Sequence, residues 1–119
     1  MIIAASGTAT LVDGVGQEIV TDLATTGIYV LIVNGLTGVG MAAVPDSLMV
    51  IVTGKVLSTS AVAYLQVYTM LYGTPDPTID WADDSGWVSP RIINPHTVTI
   101  SLVATSWAGD VDWVLVKVQ

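Results

Sequence analysis

Short runs rich in Val, Ile, Thr, Tyr and Trp recur along this chain, each closed off by Gly, Pro, Asp or Asn. β-Branched and aromatic side chains suit a pleated, half-buried surface and are restricted in a helix. Repeated at short intervals with turn residues between, the pattern predicts an all-β chain folded as an antiparallel β-sandwich. A length of 119 residues fits a single domain over 1–119 and is enough to bury one core. Cysteine is absent, so that core must hold by packing without disulfides.

Gly7–Val12 reads as the first strand, which leaves Met1–Ser6 as an extended N-terminal arm. Asp13-Gly14 supplies a turn, because both residues tolerate positive φ. Gln17–Leu23 follows, with Ile19 and Leu23 on the face of Gln17 and Thr21, and Val20 on the face of Glu18 and Asp22. Ile28–Val33 is the third run, ended by Asn34-Gly35, and Gly35–Gly40 reads as a loop continuing to Pro45. Asp46–Val56 is the fourth strand and Ser58–Ser60 a turn.

In Ala61–Tyr72, Tyr64, Tyr68 and Tyr72 recur at a spacing that lines one face of either a helix or a long strand. The β-branched Val62, Val67 and Thr69, with no helix cap before them, favour the strand. Gly73–Asn94 is rich in proline and acidic residues and reads as one long loop, with a short strand near Trp87-Val88. Loops of this length in compact domains usually carry function. Thr97–Ala104 alternates, placing Val98, Ile100 and Leu102 inward and Thr97, Thr99 and Ser101 outward, and Gly109 opens a last strand over Val111–Val118.

Three runs break that alternation. Ile28–Val33, Leu48–Val52 and Val114–Val116 are apolar at every position, whereas an antiparallel sandwich normally keeps one face of each sheet wet. Either the long loop or the N-terminal segment covers the outer faces, or other molecules do. The intermolecular reading makes Tyr29, Leu31, Val33, Met49 and Ile51 candidate interface residues. Tyr64 and Tyr68 in the tyrosine ladder, and Trp81 and Trp87 in the long loop, complete that set.

Charge narrows the partners. Hydrophobic residues make up 52% of the chain, against ten Asp or Glu and only three Lys or Arg, for a net charge of −7. Nucleic-acid backbones and anionic membrane surfaces both demand clustered Lys and Arg, so neither is an expected partner. A basic protein surface fits better. Met1–Ala5 lacks the positive flank and apolar length of a secretory leader, and no apolar run reaches the ~20 residues of a membrane helix.

Catalytic and metal chemistry find little material. His96 is the only histidine, no nucleophile elbow is present, and its place in Asn94-Pro95-His96 suits a residue that satisfies loop backbone groups. One His and no Cys do not make a zinc site. Asp80, Asp83 and Asp84 before Gly86 raise the question of calcium, but the spacing is not that of an EF-hand and a solvated acidic turn is the simpler reading. Those residues with Asp110 and Asp112 are candidates for a glycosidase pair by type alone. Trp81 and Trp87 flank the acidic turn and would stack on a sugar if exposed, the basis of an alternative reading as a carbohydrate-binding module; as buried aromatics they would pin the loop. Gly35–Gly40 has no phosphate-loop Lys after it. Trp113 alternates with Val111 and Leu115 and reads as core.

A set of motifs remains, in fixed order. Gly7-Thr8-Ala9-Thr10, Asp13-Gly14 with Gln17, and Gly27–Leu31 open it; Lys55-Val56-Leu57-Ser58 lies at its middle; Ser89-Pro90, Pro95-His96 and Asp110-Val111-Asp112-Trp113 close it. From about Gly7 onward the chain resembles the small all-β virion proteins of tailed bacteriophages, the capsid decoration or cement proteins. The resemblance implies a jelly-roll-like β-sandwich, made in the host cytoplasm and fixed to the capsid exterior of the virion. It further implies a homotrimer or a dimer that bridges subunits of the major capsid protein, without cofactor or enzymatic activity. Ile79–Trp87 departs from the pattern and would be a locally specialised contact.

Overall fold

A computed structural model describes residues 2–39, 47–56, 64–71, 87–105 and 108–119. Their elements are β1 (Ile2–Leu11), β2 (Gly16–Leu23), β3 (Gly27–Val39), β4 (Ser47–Lys55), β5 (Tyr64–Leu71), β6 (Trp87–Val88), β7 (Ile92–Asn94), β8 (Thr97–Thr105) and β9 (Ala108–Lys117). One sheet has the order β1-β9-β3-β6, with β7 also on β3, and the other has the order β2-β8-β4-β5. Every pairing is antiparallel. Apart from β4 to β5 and β6 to β7, each connection passes from one sheet to the other.

The core lies between the sheets. β8 contributes Val98, Ile100, Leu102 and Ala104, all buried, while the residues between them are half-buried. β9 turns Val111, Trp113 and Leu115 inward and leaves Asp110 and Asp112 exposed. Strand pairing carries that polarity to the neighbours, because directly opposed residues share a face. Leu48, Val50 and Val52 of β4 stand opposite Ala104, Leu102 and Ile100, and Leu31 and Val33 of β3 stand opposite Leu115 and Trp113. All of these are buried.

Several elements differ from the sequence expectation. The first strand begins at Ile2, so residues 2–6 are not a detached arm but pair with β9. Asn34-Gly35 does not end β3. The register passes from Asn34 opposite Asp112 to Thr37 opposite Asp110, so two residues of β3 face one of β9, a bulge that absorbs the flexible pair. In β2 the alternation fails: two register shifts and a φ of 49° at Asp22 let Val20 enter the core while Ile19 and Leu23 pack against it half-buried. Tyr64–Leu71 is a strand, as the β-branched content predicts.

Residues 87–94 of the expected long loop form two short strands on β3; the rest of that loop lies outside the described residues. Leu31 and Ser89 are joined twice, by Ser89 N–H to the Leu31 carbonyl at 2.8 Å and by Leu31 N–H to Ser89 Oγ at 2.8 Å. The register then shifts, so Pro90 and Arg91 together oppose Val30. The buried Ser89 hydroxyl thus substitutes for a missing ladder carbonyl.

Asp13-Gly14 does form a turn, closed by Val15 N–H to the Val12 carbonyl at 3.0 Å with a φ of 76° at Gly14. It joins strands of different sheets rather than a hairpin, and Gly14 N–H donates to the Ala104 carbonyl at 2.8 Å.

Candidate functional site

The two outward faces are where a partner would act. On the β1-containing sheet, Ile3, Val116 and Val30 stand in register across three strands, Val114, Ile32 and Val88 form a second row, and Ile28 opposes Ile93. Val88 and Ile93 are 57% and 54% exposed, Ile28, Val30, Ile32 and Val114 are half-buried, and Val116 between Ile3 and Val30 is buried. The result is an apolar stripe from β1 to the β6–β7 edge. Toward the other end the same face turns polar: Thr8 opposes Asp112 and Thr10 opposes Asp110, and Thr8 Oγ1 donates to Asp112 Oδ1 at 2.7 Å.

The second sheet is also apolar on its outward face, though less continuously. Leu65 and Val67 of β5 are exposed and oppose Thr53 and Ile51. Met49, Ile51 and Val103 are half-buried. Glu18 opposes Ser101 at the far side.

The candidate interface residues divide three ways. Tyr29, Leu31 and Val33 are core residues, at 1%, 0% and 0% exposure, and have no surface to offer a partner. The outward members of β3 are Ile28, Val30 and Ile32. Both parities of that run are apolar, so its own pattern does not say which one turns in; the register with β9 does. Met49 and Ile51 lie half-buried at outward positions of β4. Tyr64 and Tyr68 lie in β5 opposite Gly54 and Val50, Trp87 lies in β6 opposite Val33, and Trp81 lies outside the described residues with the acidic turn 80–86. Ile3, Val88, Ile93 and Val114 were not among the candidates. The signal for them was the pairing of distant segments, which periodicity within one run does not contain.

Polar groups at one end of the sandwich secure β3 and β7. Tyr29 donates its hydroxyl hydrogen bond to the Thr25 carbonyl, which also accepts from Asn94 Nδ2. Burial pushes the Tyr29 phenol above its ordinary value of 10.0. The fold therefore favours the neutral phenol. Its contribution is complete below about pH 10 and is lost as pH rises through the raised value. Tyr29→Phe should cost about 1 kcal/mol at pH 8, since Thr25 keeps one donor, and the gap between wild type and variant should close above pH 10. Urea unfolding of both proteins across that range tests this; a gap that stays constant would contradict it.

His96 is half-buried in the bend between β7 and β8. Among the described residues no three His, Asp or Glu side chains come together as a metal site. No family model, curated protein or solved structure matches this chain.

Proposed function

We propose that this chain is a non-enzymatic structural protein of a phage virion, a capsid decoration protein that binds the outside of the head and stabilises it by bridging capsid subunits. The observation that carries the reading is the apolar stripe on the outward face of the β1-containing sheet. Isolated exposed apolar residues are ordinary, but a continuous row across adjacent strands, bordered by Asp110 and Asp112, is the layout of an interface with a polar rim. The motif order described above supplies the identity of the partner. The two sets of crossing strands, β1-β9-β3-β6 and β2-β8-β4-β5, are compatible with the jelly-roll arrangement that the resemblance implies.

A cementing role needs only modest energy per contact. Covering Val88 and Ile93 contributes about 1 kcal/mol each, and repetition over a shell multiplies the effect through avidity. The acidic border suits a capsid surface bearing Lys or Arg.

Val88→Asp with Ile93→Asp tests the proposal. Both side chains are more than half exposed, so the fold should change by less than about 1 kcal/mol. Co-sedimentation with empty phage heads should fall at least roughly tenfold. Undiminished co-sedimentation would remove the stripe from the contact, and no binding by the wild type would remove the capsid.

A further inference from the structure

We propose that Asn34 is a self-modification site: in the folded chain it loses its side-chain amide through attack by the following residue, Gly35, and leaves a carboxylate opposite Asp112. The step needs no enzyme. The Gly35 backbone nitrogen bonds to the Asn34 side-chain carbonyl carbon, its proton departs with the amide nitrogen as ammonia, and a cyclic succinimide forms. Water then opens the ring at either carbonyl, giving an aspartyl or an isoaspartyl residue. A glycine in second place favours the attack, because no Cβ crowds the nitrogen and the backbone turns freely. A regular ladder would hold that nitrogen and prevent the turn. At this point in β3 the ladder is not regular. Asn34 stands opposite Asp112 and Thr37 opposite Asp110, so Gly35 and Leu36 together face Val111. Such a bulge interrupts the hydrogen-bonded rungs and leaves one residue out of the pairing. It also has room for the additional main-chain carbon of the isoaspartyl product.

Two related positions are closed to this chemistry. Asn94, the chain's other asparagine, precedes Pro95, whose nitrogen carries no hydrogen, and its Nδ2 already donates to the Leu23 and Thr25 carbonyls. Asp13-Gly14 would pass through the same ring, but Gly14 N–H donates to the Ala104 carbonyl at 2.8 Å, which holds the attacking nitrogen in place. The fold also fixes where the new charge goes. Directly opposed residues share a face, and Asp112 is exposed, so position 34 lies at an outward register where water is present to open the ring. After the reaction two carboxylates oppose each other across β3 and β9, and like charges so placed weaken the pair. The net charge of −7 becomes one unit more negative. None of this depends on the capsid reading.

Prolonged warm incubation of the purified chain in mildly alkaline buffer, with and without urea, is the test. Ion exchange should resolve a growing species with one extra negative charge in both conditions, ammonia should be released to match, and peptide mass mapping should place the change at residue 34. Asn34→Gln should abolish that species, and Gly35→Ala should slow its formation at least about tenfold. Asn34→Asp supplies the aspartyl product in pure form and should lower the thermal midpoint by roughly 1–5 °C, but by much less when introduced beside Asp112→Asn. A species formed only in urea would overturn the proposal, because the folded ladder would then protect Asn34. So would modification mapped to another residue, an acidic species that persists in Asn34→Gln, or an Asn34→Asp effect indifferent to Asp112→Asn.

Discussion

Asn94→Asp should destabilise the fold by at least about 3 kcal/mol at neutral pH, although it exchanges one small polar side chain for another of the same shape. Asn94 is 1% exposed and donates through Nδ2 to two carbonyls, Leu23 at 2.8 Å and Thr25 at 2.9 Å, tying β7 to the segment that joins β2 to β3. A carboxylate there replaces both donors by an acceptor and sets a charge against two carbonyl oxygens. Its Oδ1 is already buried without a partner among the described residues, so none of them would offset the charge at that atom. The new carboxyl would be held protonated by its surroundings, with a raised folded-state pKa. The loss should therefore grow as pH rises from about 4, where the unfolded side chain gives up its proton, toward that raised value, and shrink again as pH falls. Asn94→Ala loses the same two hydrogen bonds without adding a charge and should cost about 1–3 kcal/mol, independent of pH over that range. Chemical denaturation of the three proteins from pH 4 to 8 decides the matter. Equal stabilities of the two variants at pH 7 would mean that water reaches the site.

Gly27→Ala should cost about 3 kcal/mol, the second largest effect expected. The φ of Gly27 is 147°, a backbone conformation that a side chain disfavours. The space is also taken: a Cβ would lie 2.6 Å from the Gln119 carbonyl oxygen and 2.7 Å from Lys117 Cε. Lys117 is able to swing aside. The Gln119 carbonyl is held by Ile28 N–H at 2.9 Å, and Val118 N–H donates back to Ile28 at 2.8 Å, so relief requires the last residues to leave β3. Lys117→Ala in the same chain should recover little of the loss. Full recovery would show that the lysine stem, and not the backbone, was the obstacle. Amide exchange at Ile28 and Val118 should rise in the single variant.

Much of the strand inventory was legible because its causes are local. β-Branched side chains, Asp13-Gly14 and the alternation of Thr97–Ala104 act within a few residues of themselves, and the strands found there follow. Asn34-Gly35 shows the limit of a local signal: a pair that ends strands elsewhere becomes a bulge here, because β9 continues to pair on both sides of it. Asp13-Gly14 shows another, since a turn motif says that the chain reverses but not which sheet it enters.

The candidate site was legible only in outline. That some faces would be apolar on both sides could be read from Ile28–Val33 and Leu48–Val52, but which residues face out could not. Tyr29, Leu31 and Val33 are the inward half of β3, whereas Met49 and Ile51 are the outward half of β4. In a run apolar at both parities, either orientation buries comparable surface, and the choice falls to neighbours with a polarity of their own.

The amino-acid sequence alone determined that the chain is all-β, that β8 and β9 each have a dry and a wet side at some point along them, and that three runs lack such a bias. Only the tertiary structure decided which side of those runs turns inward. Pairing puts β3 beside β9 and β4 beside β8, so Asp112 and Ser101, which stay out of the core, hold Asn34 and Ile51 at outward register positions. The physical reason is that opposed residues of paired strands must share a face. The polarity of one strand thereby orients its neighbour, through contacts between segments far apart in the chain.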